Sequence, residues 1–330
     1  MIGADDISLL TAGFRRALAA EDPDAVDKAL DEVGWREALA EEGATVMPIV
    51  FTEKGLAGAS ATVIDDLLLM TLGLEPGADA GVVQPEPGRR TPPGRISGGR
   101  LSVAGTATAR LLRGATAVVA ATSDGGAEQV VTAQAADLTI RPVAGIDLAF
   151  GLVTVTADAI AFETAGAATA PWSLATAVAQ LALGFELLGA SRAMLALARE
   201  HALARTQFGR PIASFQAVRH RLADALVAVE GTAAAVSAAW EAGDWTTGGD
   251  RGQDQLAAIA KAVAGRNART VARHCQQVLA GIGFTAEHRF HRYFRRVLLL
   301  DELFGSSREL THDLGRELLV TRQLPAPIPL

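Results

Sequence analysis

A chain of 330 residues that is 49% hydrophobic and 20% charged has apolar material for a sizeable core, and its length suggests two or three domains of roughly 100 to 150 residues. Its formal charge of −7, with no long run of Lys or Arg, argues against a nucleic-acid surface. The single cysteine, Cys275, admits no internal disulfide and points to a reducing, cytoplasmic compartment. No apolar run is expected to reach the roughly 18 residues of a membrane span, and Met1-Ile2-Gly3-Ala4-Asp5-Asp6 lacks the basic start of a signal peptide.

Taken in order, residues 1–75 read as short helices. Leu9, Leu10, Phe14 and Leu18 fall on one face, Asp22-Pro23 breaks the pattern, a second helix covers Ala25 to Glu32, and Gly34-Trp35 leads into a third. Ile64, Leu67, Leu68 and Leu72 mark a further, buried helix, on which Asp65-Asp66 read as solvated charges, as do Glu41-Glu42. Over residues 76–170 the pattern turns alternating and β-branched, with Gly and Pro punctuation at Pro85-Glu86-Pro87-Gly88 and Pro92-Pro93-Gly94. Candidate strands are Arg100 to Gly105, Ala117 to Thr122, Gln129 to Ala133, Thr139 to Val143 and Leu152 to Ala157, with turns at Asp124-Gly125-Gly126 and Gly98-Gly99. Strands this close together suggest a small antiparallel sandwich or barrel.

From residue 171 to 330 the helical period returns. Leu174, Val178, Leu181, Phe185 and Leu188 form one core-facing stripe. Leu222, Leu226, Val229, Ala233, Val236 and Trp240 form a second. Gly243 and a Gly248-Gly249 linker end that helix, a third long helix runs from about Gln253 to Ala280, and a short fourth starts at Ser306, followed by a loose tail at Pro325 to Pro329. The fold class expected is α+β, with an amino-terminal helical part, a middle β part and a carboxy-terminal four-helix bundle.

Two stretches carry chemistry. Arg205-Thr206-Gln207-Phe208-Gly209-Arg210-Pro211-Ile212 sits between two helical patterns and breaks both, because Gly209 and Pro211 do not continue a helix cheaply. The corner exposes Arg205, Gln207 and Phe208. An ordinary helix connection, with Arg205 capping the preceding carbonyls, accounts for it equally well on local chemistry. Gln277-Val278-Leu279-Ala280-Gly281-Ile282-Gly283-Phe284-Thr285-Ala286-Glu287-His288 is the second stretch. Physically, Arg205 offers a donor fork suited to a pyrophosphate, Phe208 a ring face for an adenine, Gln277 a group for a ribose or phosphate, and Gly281 close backbone approach. His288 and His291 share a helical face, but no Cys or paired carboxylate completes a metal set, so no metal is expected. Arg289, His291, Arg292, Arg295 and Arg296 read as a solvated or salt-bridged helix face, with an acyl-CoA phosphate or a partner as the alternative contact.

The corner, with Phe215-Gln216-Ala217 and His220-Arg221-Leu222-Ala223-Asp224 after it, resembles the signature of the acyl-CoA dehydrogenase family. The second stretch resembles that family's Gln-x-x-Gly-Gly-x-Gly-Tyr-Thr-x-Glu block, with Ala280 replacing one Gly. The resemblance is good from about Gly189 to Arg296. It implies an amino-terminal helical domain followed by further helices and a Thr-Glu-Pro strand at the flavin; this chain passes from Leu74 to Glu75-Pro76-Gly77, as though part of that domain were deleted. It also implies that Arg205, Gln207, Phe208, Gln277 and Gly281 reach the adenosine diphosphate half of a flavin adenine dinucleotide (FAD) bound mainly by a neighbouring subunit. The family's Trp-x-Thr pair at the flavin ring aligns with Ser102 and Ala104, which supply neither ring nor hydroxyl at the matching places.

The family's catalytic Glu precedes a Gly-Thr downstream of an Arg-Asp pair. Here Gly305-Ser306 matches the Gly-Thr, Phe304 takes the base position, and Arg295-Arg296 replaces Arg-Asp. The alternative base position, upstream of the glycine that matches Gly189, is Ala179. Neither Phe nor Ala accepts a proton. The resemblance therefore implies a non-catalytic subunit that pairs with a catalytic acyl-CoA dehydrogenase subunit in an α2β2 assembly, shares its FAD, and meets the acyl-CoA, of the bulky steroid-CoA type, through the partner. Two rivals stand beside it: a self-sufficient homomeric enzyme with Asp301 or Glu302 as a displaced base, and a flavin-free helical scaffold or binding protein.

Overall fold

The computed structural model describes residues 3–20, 22–145, 147–165, 170–243, 245 and 251–322. The Gly248-Gly249 linker and the Pro325 to Pro329 tail expected from sequence lie outside the described residues. Helices α1 (Ala4–Ala17), α2 (Pro23–Glu32), α3 (Trp35–Ala57) and α4 (Val63–Thr71) come first. Asp22 starts α2 by accepting from the Asp24 N–H, with Pro23 at the first helical position where its missing donor matters least. Phe14 of α1 and Leu18 at its carboxy-terminal cap are buried near Val26, Leu30 and Trp35. Leu9, expected on the same face, is 75% exposed instead. Pro48 inside α3 donates no backbone hydrogen bond to Ala44, and the freed Ala44 carbonyl accepts from Trp240 Nε1 at 2.7 Å.

The middle segment forms one sheet from β1 (Ala80–Val83), β2 (Gly94–Ser97), β3 (Arg100–Ala107), β4 (Thr116–Ser123), β5 (Glu128–Gln134), β6 (Thr139–Pro142), β7 (Val153–Ile160) and β8 (Glu163–Thr164), in the order β6-β7-β3-β2-β4-β5-β8 with β1 beside β4. The five expected strands are present. β1, β2 and β8 are additional, too short and too close to Pro or Gly to stand out by period. β1 and β2 lie end to end along one edge of β4 and run parallel to it, so an otherwise antiparallel sheet carries two parallel pairs. β1 leads into Gln84-Pro85-Glu86-Pro87, so a Glu-Pro step follows this strand, beyond the Glu75-Pro76 step noted in the sequence. Gly98 and Gly99, both at positive φ, make the β2–β3 turn as expected. β4 is buried on both faces: Val119 and Ala121 face the sheet's own core, Val118 and Ala120 the helices.

Asp65 and Asp66 are buried, which corrects the expectation of solvated charges. Asp66 receives a bidentate pair from Arg110 at 2.6 and 2.9 Å, plus Trp35 Nε1 and Arg36 Nε at 3.1 Å each. Burial alone would raise its pKa; the Arg110 hydrogen bonds and charge, with Arg36, outweigh that and hold the carboxyl below its ordinary value. Asp65 accepts from the Val82 N–H at 2.8 Å and from Thr108 Oγ1 at 2.5 Å. Burial lifts it to about 6, against the pull of Arg110. α4 is thereby fastened to β1 and to the residue that follows β3.

The carboxy-terminal helices are α5 (Trp172–Ala204), α6 (Gln216–Ala242), α7 (Arg251–Leu279), α8 (Phe290–Glu302) and α9 (Ser307–Thr321); α8 is one more than the four expected. α5 is the central helix, with nearly every residue from Leu174 to Ser191 buried. It crosses α3 with backbone against backbone: a Cβ on Gly55 would fall 2.1 Å from the Glu186 carbonyl oxygen, and one on Gly189 would fall 2.1 Å from that of Thr52. On α6 the inner face is Ala225, Val229, Thr232, Val236 and Ala239, which leaves Leu226 exposed rather than buried as expected. Contrary to the sequence reading, α5 and α6 are both long and apolar enough to cross a membrane by length and composition. α5 has that composition because it is the buried core of the bundle.

Gly189→Ala is expected to push α3 and α5 apart and destabilise the chain by about 1–3 kcal/mol or more, read by denaturant unfolding. Gly315→Ala on α9, where an added Cβ meets nothing within 4 Å, is expected to be neutral or slightly stabilising.

Between the ordinary 3.8 and about 6, native Asp65 holds a proton that the unfolded chain has released. Its contribution to stability therefore falls as pH rises through that window. Asp65→Asn, which does not titrate, is expected to compare better with the parent at about pH 7.5 than at about pH 5. Asp66→Asn, which breaks the buried pair with Arg110, is expected to lose about 3–5 kcal/mol. Urea unfolding at the two pH values checks both.

Candidate functional site

α5 ends where the Arg205 N–H donates to the His201 carbonyl at 2.8 Å. The chain then makes a two-residue hairpin of β9 (Thr206–Gln207) and β10 (Arg210–Pro211), with Phe208 at φ +52° and Gly209 at +76° in the turn. The Ile212 N–H closes the corner onto the Arg205 carbonyl at 2.8 Å. It is thus the backbone of Arg205 that caps α5; among the described residues its guanidinium has no carbonyl or carboxylate partner. Phe208 is 93% exposed, edge-on to Phe215 at 6.2 Å, with the Arg210 guanidinium over the Phe215 ring at 4.4 Å.

At the end of α7, Gln277 is exposed and a short 3₁₀ turn spans Ala280–Phe284. Ala280 adopts φ +53°, a left-handed value that glycine takes freely and alanine does not. Gly281 has open space where a Cβ would point. The first turns of α6 lie beside the end of α7, with Arg221 Nη1 3.5 Å from His274 Nδ1. At the end of α5, His201 has its pKa lowered by burial and by the nearby His288 and Arg205. The two stretches, far apart in sequence, therefore share one end of the bundle, and Arg205, Gln207, Phe208, Gln277 and Gly281 are all exposed there.

The base positions are of the opposite kind. Phe304 and Ala179 are buried, the Phe304 ring lies 6.3 Å from that of Trp172, and the Phe304 carbonyl accepts from Gln180 Nε2 at 2.9 Å. Trp172 in turn donates from Nε1 to the Arg90 carbonyl at 3.1 Å. Asp301 is buried and fully engaged: it takes Arg269 Nε at 2.5 Å, the Ser307 N–H at 3.0 Å and Ser307 Oγ at 3.1 Å, so it ties α7 to the start of α9. Glu302 is half-exposed and paired with Arg269 at 3.0 Å. Sequence reasoning missed Lys261, which is fully buried, donates to the Asp301 and Gly305 carbonyls, and is brought down by burial to about 8.

Ser102 Oγ donates to Asp158 at 3.1 Å and accepts from the Ala159 N–H at 3.2 Å, beside a shallow groove of about 470 Å³ that Ala104 also lines. The donor set at the bundle end therefore suits a pyrophosphate and a heteroaromatic ring. The Ser102–Ala104 segment offers neither an aromatic wall nor a free hydroxyl to a flavin ring.

The family described as "Acyl-CoA dehydrogenase, C-terminal domain" matches residues 166–319. Acyl-CoA dehydrogenase IpdE2 of Mycobacterium tuberculosis is 37% identical over 139 residues, which is 42% of this chain and 41% of that protein; the matched part is thus about two-fifths of this relative's length. In fold the similarity extends over nearly the whole chain. The ChsE4-ChsE5 complex from Mycobacterium tuberculosis aligns at a TM-score of 0.79 and 22% identity, covering 98% of this chain and 99% of the other. A variant of the Tcur3481-Tcur3483 steroid ACAD aligns at 0.79 and 20%, covering 96% and 99%. The architecture is thus that of the acyl-CoA dehydrogenases. Residues 166–319, just under half of the chain, match the carboxy-terminal domain of the acyl-CoA dehydrogenases in sequence, and the chain as a whole is similar to these structures in fold.

Proposed function

We propose that the chain is a non-catalytic subunit of an acyl-CoA dehydrogenase, completing the FAD site of a neighbouring catalytic subunit in an α2β2 assembly that removes hydrogen across the α,β bond of an acyl-CoA thioester. The observation that carries this reading is the contrast between the two sets of positions. Arg205, Gln207, Phe208, Gln277 and Gly281 are displayed together at an exposed bundle end, while Phe304 and Ala179 are sealed in apolar packing. When bound, the flavin supplies the acceptor for the hydride. Arg205 would pair its fork with the pyrophosphate, Phe208 would lie against the adenine, and Gln277 and the backbone at Gly281 would take the remaining polar contacts. The thioester α-proton would go to a carboxylate of the other chain, because here Asp301 is committed to Arg269 and Ser307 and Glu302 is turned to Arg269. The likeness to the ChsE4-ChsE5 complex and to a steroid ACAD supports a heteromer and a bulky, steroid-type acyl-CoA.

The isolated chain is expected to purify with little flavin, and the complex with its partner subunit with stoichiometric flavin, by absorbance. Arg205→Ala in the complex is expected to weaken flavin retention by about 1.5–3 kcal/mol with the fold intact. A fully flavinated lone chain would sink the half-site reading.

Glu302→Gln is expected to leave turnover of the complex nearly unchanged. Loss of about 10²- to 10⁴-fold, the contribution of a general base, with flavin content and assembly unaltered, would move the base into this chain.

A further inference from the structure

On the side of the molecule formed by the amino-terminal helices, a cleft of about 1280 Å³ opens between the α1–α2 connection, the end of α3, the segment 147–149 and the first half of α8. None of Arg205, Gln207, Phe208, Gln277 or Gly281 lines it. Five arginines reach this cleft against two carboxylates, in a chain whose overall formal charge is −7. Both carboxylates are already committed. Glu53 holds Arg15 at 2.7 and 2.8 Å, and Asp147 holds the buried Arg296 at 2.5 Å. Arg292 and Arg295 are exposed on successive turns of α8 and have no carboxylate within ion-pair distance among the described residues. One turn of helix places two such forks about 5 Å apart along the axis, a spacing that adjacent phosphates fill and a lone carboxylate does not. Leu18, Ala20, Leu56 and Ala57 give the cleft an apolar wall.

From this arrangement we propose that the cleft binds a small molecule carrying a diphosphate beside an apolar or aromatic body, with Arg292 and Arg295 as its phosphate contacts. Guanidinium forks bind phosphate bidentately, and the committed pairs of Arg15 and Arg296 fix the rim so that the unpaired ones stay available. The site is independent of the proposed flavin contact at the bundle end.

Isothermal titration of the purified full chain, with inorganic pyrophosphate and ADP as probes at low and at moderate salt, tests this. Saturable binding that weakens with salt is expected, ADP binding more tightly than pyrophosphate because the wall takes its ring. The double variant Arg292→Glu, Arg295→Glu is expected to lose at least about tenfold in affinity, the neutral pair Arg292→Gln, Arg295→Gln part of that, and Arg316→Glu on α9 none. Because ADP is also the half of FAD assigned to the bundle end, Arg205→Ala serves to remove that second contact, and saturable ADP binding that depends on Arg292 and Arg295 is expected to persist in it. The proposal is overturned by the absence of saturable binding of either probe at low salt, by binding that survives the charge reversal, or by binding that is lost with Arg205→Ala instead. Equal affinity for the two probes overturns the part assigned to the apolar wall.

Discussion

The crossing of α3 over α5 is the constraint on which the other parts depend. Gly55 and Gly189 let the two backbones touch, and that approach brings Lys54 within 2.6 Å of Glu186, both wholly buried. Burial lowers the Lys54 pKa in spite of the attraction of Glu186, so the pair is not a large source of net stability; a buried ion pair roughly offsets its own desolvation. Its effect is to fix position. Glu186 also lies 3.6 Å from Arg296, Arg296 takes Asp147 and the Ala59 carbonyl, and the Phe150 ring lies against both cations, at 5.1 and 4.8 Å. A single charged knot thus joins α3, α5, α8 and the β6–β7 connection. The tilt of α8, and with it the shape of the basic cleft, follows from that knot.

The second joint works by the same physics at the start of α4. Arg110 is enclosed by Asp66, by the hydroxyl and carbonyl of Thr62, and by the carbonyl of Gly77. Breaking one member leaves a buried charge unmatched, so the sheet has one permitted seat on the helices. An apolar joint of equal area would tolerate sliding, since hydrophobic contact is not directional. The sheet's inner face then closes over the helices, and the Pro85–Gly88 turn reaches the end of α8, where the Gly88 N–H donates to the Glu302 carbonyl at 2.7 Å. Trp172 and Phe304 meet beneath this turn. The packing of the base position therefore results from how the sheet is seated as well as from the residue at 304.

The legible parts of the sequence were those governed by local rules. The stripe read from Leu174 to Leu188 is buried as expected because α5 is buried on all sides, so a phase error there exposes nothing. Leu9 and Leu226 belong to half-buried helices, and a shift of one residue turns such a position outward. Asp65-Asp66 looked solvated because the cation that explains them lies 44 residues on from Asp66, and nothing local marks that partner. β1 and β2 stayed hidden because each is four residues long between Pro or Gly punctuation, and their parallel pairing to β4 is a tertiary property. The motif residues at the bundle end were legible as types and spacing. Their gathering at one exposed corner depends on the α5–α6–α7 packing.

Two backbone conformations at that corner bear on why it exists. Phe208 at φ +52° and Ala280 at φ +53° are non-glycine residues in the left-handed region, each at an expense of about 1–3 kcal/mol. Strain of this kind persists when surrounding contacts over-determine it, yet Phe208 is 93% exposed and Ala280 is exposed as well. Packing within this chain offsets little of it. Phe304 is also at positive φ, +55°, but there the ring is buried against Trp172 and the carbonyl is held by Gln180, so the local strain is repaid where it occurs. A carboxylate at 304 would instead be a buried charge facing an indole. The chain thus stabilises position 304 and leaves strained, uncompensated groups on the surface at the bundle end, the surface on which the proposed half-site reading places a second chain and its cofactor.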